Sequence, residues 1–259
     1  MAEIILNPQL FSRLSSGPLI CIGRAGMDLY PEPIGCRTEN ANNFIPDVGG
    51  TAGNVSVAIS RQGGKVFLLT VFSDDQVGNY VLSKCKEYGV NISLCRSQAG
   101  LARNSLAIAE TRAYEPAVVI YRNNAADLQL ACEDFQSIDF KKIGGLIVTG
   151  TAFSGEPSSS AVREAISDAK QAGCPVIIDI DYRPDAWQSA ETAANQIIPE
   201  VARADILFGN DDEFELISRG REEDGLEVAR QYGIKGQLVF YKMGEKGCLT
   251  FFKKLEIRT

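Results

Sequence analysis

The chain has 259 residues, of which 45% are hydrophobic and 23% are charged, a composition typical of globular proteins. A formal net charge of −7 without any block of Lys or Arg argues against nucleic acid as a partner, although a small anion needs only a local cluster of cations. The chain contains no histidine, which excludes Ser-His-Asp catalysis, histidine zinc sites and histidine general bases.

Six short runs are apolar throughout, as expected of parallel strands covered on both faces. In chain order they occupy residues 19–23, 65–71, 145–150, 175–181, 206–210 and 237–243. Segments with apolar residues at helical spacing lie between them, at 74–89, 156–173, 189–204 and 225–233. This alternation predicts an α/β fold built on a mainly parallel central sheet.

Two stretches interrupt the alternation. Residues 27–49 have no helical period, and residues 105–122 are typical of two strands joined by a turn around Tyr114–Pro116. We expect these insertions to form a small β-sheet. Because ligands of such folds bind beyond the carboxyl ends of the strands, this sheet would act as a lid.

A glycine pair precedes a predicted helix in the segment DVGGTAGNVSVAISRQGG, residues 47–64. Gly49 and Gly50 allow a ligand to approach the backbone closely, and we expect Thr51 to cap the helix. The segment is also compatible with a tight turn that binds nothing. A nucleotide-dependent oxidoreductase would instead carry G-x-G-x-x-G directly after the first strand, where this chain has GRAGMD.

The seven cysteines form no C-x-x-C pair, and most lie in apolar runs. This predicts reduced thiols in the core of a cytoplasmic protein. The sequence has neither a signal pattern at its start nor an apolar run near the roughly 20 residues of a membrane span, so we expect no membrane contact.

Five motifs, taken together and in order, resemble those of the PfkB carbohydrate kinases. They are CIGRAGMDLY, VGGTAGNVSVAISRQGGKVFLLTVFSDDQVG, DIDYRPDAW, GNDDEFE and KMGEKG. The resemblance implies a ribokinase-like three-layer sandwich with a β-sheet lid at about 27–48 and 103–122. It also implies ATP and Mg²⁺ as cofactors, a sugar as phosphate acceptor, and a homodimer paired through the lid.

Within this family the chain is most similar to kinases of keto-deoxy sugar acids, among them an enzyme of inositol breakdown. Fructokinase, 2-keto-3-deoxygluconate kinase and ribokinase specificities remain open. The resemblance assigns the sugar-binding side to Asp28, Gly49, Gly50, Asn54, Arg122 and Arg183, with Arg103 as a weaker candidate. Two arginines suit a sugar acid because guanidinium groups bind carboxylates in a fork. Without the resemblance, an ordinary turn residue is the alternative for Asp28, and an ordinary salt-bridge residue is the alternative for Arg122 and for Arg183.

The resemblance assigns the nucleotide side to the motifs GNDDEFE and KMGEKG. Asn210 and Glu213 match an N-x-x-E element that orders Mg²⁺ through its waters, whereas the acids alone would indicate favourable partners of a helix dipole. Lys242, Gly244 and Gly247 match the strand and turn beside the nucleotide phosphates, and a plain hairpin is the alternative.

Members of the family carry the run D-T-x-G-A-G-D after the GEKG turn. This run supplies an anion hole and the general base. This chain has no G-A-G-D, and we therefore assign no catalytic residue. We expect residues 1–259 to form a single ribokinase-like domain without the family's C-terminal part, with doubtful activity. A sugar-binding remnant without catalysis is the alternative.

Overall fold

The computed structural model describes residues 7–112 and 117–259, which form a central eight-stranded sheet and two smaller sheets. The central sheet has the order β14-β13-β12-β11-β10-β9-β1-β4. Its strands are β1 (Leu19–Ile22), β4 (Val66–Leu69), β9 (Gly145–Thr149), β10 (Val176–Asp179), β11 (Ile206–Asn210), β12 (Leu238–Lys242), β13 (Cys248–Phe252) and β14 (Leu255–Arg258). Six of these strands pair in parallel and correspond to the six apolar runs: β4, β1, β9, β10, β11 and β12. The hairpin β13–β14 continues the sheet with antiparallel pairing.

Helices cover both faces of this sheet. They are α1 (Pro8–Ser15), α2 (Thr51–Arg61), α3 (Gln76–Glu87), α4 (Ser158–Gln171), α5 (Ala190–Val201), α6 (Asp211–Ser218) and α7 (Gly225–Ile234). Alternation along β1 sends Ile20 and Ile22 into the core beneath α4–α7, whereas Cys21 packs in the core beneath α1–α3. The predicted three-layer α/β architecture is therefore confirmed.

A four-stranded sheet of order β3-β2-β7-β8 stands apart from the central sheet. Its strands are β2 (Gly26–Glu32), β3 (Asn43–Gly49), β7 (Leu106–Ala109) and β8 (Val118–Tyr121). Both predicted extended insertions contribute to it, and we call it the lid sheet. The turn predicted at Tyr114–Pro116 lies outside the described residues. The remaining strands, β5 (Val71–Ser73) and β6 (Arg96–Gln98), form a separate pair.

Each of the seven cysteines is free, and Cys21, Cys85 and Cys174 are buried. Burial raises the pKa of the Cys85 thiol to about 11, which keeps it protonated in neutral solution. Of the helices in residues 7–112 and 117–259, none combines the length and apolar character needed to cross a membrane.

Candidate functional site

Polar side chains collect where the parallel strands end. Arg24 follows β1, Thr151 follows β9, Asp181 follows β10, and Lys242 is the last residue of β12. A cavity of about 350 Å³ opens at this edge, between the strand ends and the lid sheet. Its lining residues are Arg24, Asp28, Gly50, Thr51, Asn54, Ala107, Ala109, Val118, Ile120, Arg122, Thr151, Asp181, Arg183, Pro184, Asp185 and Ala186.

The lid sheet supplies one apolar wall of this cavity. Ala107 pairs with Ile120 and Ala109 with Val118 in the β7–β8 register. Side chains of alternate strand residues point to the same face, so these four share the face that lines the cavity. The lid therefore offers carbon surface to a ligand, and the polar contacts come from elsewhere.

Asp28 on β2 contributes a carboxylate to the same cavity. Its Oδ1 is buried and has no hydrogen-bond partner among the described residues. Burial raises the pKa of the Asp28 carboxyl, and nearby Arg24 opposes that shift. Because buried polar atoms are nearly always paired, this oxygen is suited to accept a hydrogen bond from a bound hydroxyl.

The glycine pair lies against Asp28 and Arg24, and Asn54 lines the same cavity. A Cβ atom at Gly49 would overlap the carboxylate of Asp28, and one at Gly50 would overlap the carbonyl of Arg24. Gly50 also has a φ of +85°, which disfavours other residues. Asn54 lies in the first turn of α2 and faces the cavity.

Asp181 joins three parts of the site and was not assigned a role from the sequence. Its carboxylate accepts hydrogen bonds from Thr51 Oγ1 at 2.8 Å, from Thr151 Oγ1 at 3.0 Å and from Arg183 Nε at 3.2 Å. The expectation that Thr51 caps α2 is wrong, because the N-cap residue is Gly50. The Thr51 hydroxyl donates its hydrogen bond to Asp181 instead.

The three predicted arginines have different surroundings. Arg122 lines the cavity, but it is buried in an ion pair with Asp127 and also donates to Ser154 Oγ at 2.7 Å. Arg183 lies at the cavity with its side chain 51% exposed. Arg103 does not line this cavity; its guanidinium lies 3.8 Å from Asp75 and donates to the carbonyl of Gly100.

Arg24 is a cavity residue that the sequence analysis missed. It is only 8% exposed, and its Nη1 donates to Ser105 Oγ at 3.0 Å. A signal for it was present in GRAGMD, because the glycines around an arginine make room for a folded-back side chain. A Cβ atom at Gly26 would lie 2.8 Å from Nη1 of Arg24.

A second polar cluster lies at the ends of β10, β11 and β12. Asn210 and Glu213 form a capping box at the start of α6, with hydrogen bonds of 2.7 and 2.9 Å. Lys242 Nζ lies 3.3 Å from Asp179 and 3.7 Å from Glu213. Burial raises the pKa of both carboxyls, and the Lys242 ammonium works against that shift.

The turn after β12 brings its backbone next to this cluster. Gly244 and Gly247 have φ values of +56° and +92°, which allow the chain to reverse into β13. Within residues 7–112 and 117–259, no group of three or more Asp, Glu, Cys or His side chains is arranged to hold a metal ion. Apart from Arg103, the predicted residues thus fall into two neighbouring sets, one at the cavity and one at this cluster.

The sequence profile described as pfkB family carbohydrate kinase matches residues 18–258. The chain belongs to the pfkB family. Its members are sugar kinases, so the resemblance found in the five motifs is confirmed, as is the prediction of a phosphotransferase.

Among relatives, a 5-dehydro-2-deoxygluconokinase of Photobacterium profundum is 34% identical over 90% of this chain and 72% of its own length. Another, from Clostridium tetani, is 31% identical over 90% of this chain and 70% of its own.

Solved fructokinase structures share the fold at lower identity. The fructokinase of Xylella fastidiosa with bound ATP has a TM-score of 0.82 and 22% sequence identity. The match covers 94% of this chain and 77% of the fructokinase chain. A double mutant of the fructokinase from Vibrio cholerae, with fructose, ADP and potassium ion bound, has a TM-score of 0.80 and 22% identity. The match covers 94% of this chain and 76% of the fructokinase chain.

Proposed function

We propose that this pfkB protein binds a keto-deoxy sugar acid of the 5-dehydro-2-deoxygluconate type as the phosphate acceptor and ATP as the donor. The observation that carries the proposal is the cavity, which combines a buried carboxylate oxygen of Asp28, unpartnered among the described residues, with the guanidinium groups of Arg24, Arg122 and Arg183. The names of the relatives from Photobacterium profundum and Clostridium tetani support the same substrate class.

The cavity residues bind and orient the acceptor. Asp28 accepts a hydrogen bond from a sugar hydroxyl, and Asn54 with the backbone at Gly49 and Gly50 holds the same side of the sugar. Arg183 also lines the cavity, and Asp181 fixes its guanidinium through Nε. A fixed guanidinium loses little freedom on binding an anion, which favours an acidic ligand over a neutral one.

ATP is proposed to bind at the second cluster, with the Lys242 ammonium and the turn at Gly244 and Gly247 beside its phosphates. The ATP-bound fructokinase of Xylella fastidiosa shows that the fold can hold this nucleotide. The cluster lies at the same sheet edge as the acceptor cavity, since Asp179 and Asp181 are two residues apart on one strand end. A phosphate donor and acceptor would therefore meet along this edge.

Mg²⁺ is proposed to bind near Glu213 through its water shell. Carboxylate oxygens such as those of Glu213 and Asp179 are the donors that Mg²⁺ prefers, and Mg²⁺ bound through one or two carboxylates keeps several waters. When bound, the ion would offset negative charge on the phosphates. Glu213 is anchored for this role by its hydrogen bond from the Asn210 amide.

We propose sugar binding without phosphoryl transfer as a second candidate function of these 259 residues. The 259 residues contain an acceptor cavity but no G-A-G-D run. We therefore assign no general base within them. Ligand binding is accordingly the property that tests the substrate assignment most directly in this chain.

Calorimetry with a panel of acceptors tests the substrate class. We expect 5-dehydro-2-deoxygluconate to bind at least about tenfold more tightly than fructose or ribose, because it supplies a charged partner for a guanidinium. Tighter binding of fructose would assign the fructokinase specificity instead, and tighter binding of 2-keto-3-deoxygluconate would assign that kinase specificity. Transfer of phosphate from ATP at an ordinary kinase rate, about 1–100 per second, would contradict the second candidate.

A further inference from the structure

The Arg24 guanidinium is a buried cation with unused donors at the wall of the acceptor cavity. Its side chain is 10% exposed, and the one hydrogen bond that its guanidinium donates within the described residues runs from Nη1 to Ser105 Oγ at 3.0 Å. A guanidinium carries five N–H donors. Most of its hydrogen-bonding capacity is therefore left for a ligand.

The nearest carboxylate does not use that capacity. Asp28 Oδ1 lies 3.9 Å from Arg24 Nη2, beyond hydrogen-bond distance, and has no other partner among the described residues. A donor and an acceptor thus stand side by side in the cavity wall, and neither satisfies the other. A ligand that places an anionic oxygen on Arg24 and a hydroxyl on Asp28 would satisfy both.

The other two cavity arginines are already paired. Arg122 donates to Asp127, to Ser154 Oγ and to the carbonyl of Thr151 at 3.1 Å. Arg183 donates through Nε to Asp181 at 3.2 Å and is half exposed. Arg24 is the cavity arginine without a hydrogen-bonded carboxylate in the part of the chain that the structure describes.

The local backbone is shaped around Arg24. A Cβ atom at Gly50 would lie 3.2 Å from its Cγ, and one at Gly26 would lie 2.8 Å from its Nη1. Its own carbonyl accepts a 3.1 Å hydrogen bond from the Gly53 amide in α2. Backbone and side chain are therefore held in place before a ligand arrives, which reduces the entropy lost on binding.

We infer that Arg24 is a specificity-determining residue that binds the carboxylate of the sugar acid and so makes the cavity prefer the acid to its neutral counterpart. The inference rests on the proposed function, because it assigns that function's substrate class to one side chain. Burial lowers the pKa of Arg24, so the charged form gains from an incoming anion.

Two variants and a matched pair of ligands test this role. Calorimetry would compare 5-dehydro-2-deoxygluconate with its uncharged carboxamide on the wild-type chain, on Arg24→Met and on Arg24→Lys. We expect Arg24→Met to weaken binding of the acid about 10- to 100-fold and binding of the amide by less than about threefold. Arg24→Lys keeps the charge without the fork, so an intermediate loss is expected for the acid alone.

The control is Arg37→Met, because Arg37 is an exposed arginine paired with Glu39 and its loss should change neither affinity. If Arg24→Met and Arg24→Lys lose equal affinity for both ligands while the wild type still prefers the acid, the role of Arg24 is overturned. The proposed function is unaffected by that result. A wild-type chain that binds the amide as tightly as the acid overturns the proposed function itself. If Arg24→Met does not fold, Arg24→Lys decides alone by the same comparison.

Discussion

Thr51 Oγ1 donates a 2.8 Å hydrogen bond to Asp181 Oδ1, joining the first residue of α2 to the end of β10 across 130 positions of sequence. Asp181 is only 2% exposed, so each of its hydrogen bonds replaces water that the carboxylate has lost. The bond fixes the helix that carries Asn54 relative to the segment that carries Arg183.

We expect Thr51→Val to lower the free energy of unfolding by about 1–3 kcal/mol, because it removes a donor from a buried carboxylate. Thr51→Ser, which keeps the hydroxyl, should retain most of the stability. Urea unfolding of both variants measures the difference. Wild-type stability in Thr51→Val would show that the hydrogen bond contributes nothing.

Gly49→Ala should weaken acceptor binding about tenfold or more, because the new methyl group would displace the Asp28 carboxylate. Gly63→Ala is the matched control at the other end of the same helix. Gly63 has a φ of +83° but open space around it, so that substitution should cost about 1–2 kcal/mol of stability without changing affinity. Calorimetry and thermal unfolding separate the two effects, and unchanged affinity in Gly49→Ala would contradict the placement of Asp28.

Lys242→Met should lower the free energy of unfolding at neutral pH by about 1–3 kcal/mol, since it leaves Asp179 and Glu213 without their cation. Burial already raises both carboxyl pKa values in the folded chain, and losing Lys242 raises them further. The folded state then binds more protons than the unfolded state over a wider pH range, so stability falls as pH rises through these pKa values.

The stability gap between Lys242→Met and the wild type should therefore narrow as the solution is acidified. Urea unfolding across the acidic and neutral range measures it. Lys142→Met is the control, because Lys142 pairs with Asp139 on the surface and should change stability by less than about 0.5 kcal/mol at any pH. A gap in Lys242→Met that does not vary with pH would contradict this account.

The outer face of the lid sheet predicts pairing of two chains. Phe44, Val119 and Tyr121 share that face by strand register and are 39%, 52% and 57% exposed. We expect a homodimer in sedimentation velocity, and Val119→Lys should shift it to monomer. Ile234 is also 52% exposed but lies on α7, so Ile234→Lys should leave the dimer intact. A wild-type chain that sediments as a monomer at high concentration would contradict the prediction.

The strands of the central sheet could be predicted because runs such as LICI and LIVT are apolar at every position, which is what burial on both faces requires. The prediction at residues 65–71 ran too long, since the chain leaves the central sheet after Leu69 and Val71 starts a strand in another sheet. That break depends on the partner strand Arg96–Gln98, which no local pattern reveals.

The motifs of the candidate site could be recognised in the sequence, whereas the ion pairs and hydrogen bonds between its side chains could not. Asp28 and the glycines could be proposed as site residues because they occur in motifs of recognisable order. The ion pair of Arg122 with Asp127 and the hydrogen bonds to Asp181 depend on long-range contacts, so the sequence could not show which arginine is already neutralised. Arg24 was missed because a buried arginine is rare enough to be overlooked in an otherwise apolar strand end.

The short segment from Asp179 to Arg183 takes part in both halves of the site. Asp179 contacts Lys242 in the second polar cluster, where ATP is proposed to bind, and Asp181 holds Thr51 and Arg183 at the cavity proposed for the acceptor. A ligand that shifts the end of β10 would alter the surroundings of the other ligand as well. We therefore expect occupancy of one site to change the affinity of the other, and such linkage acts equally in both directions.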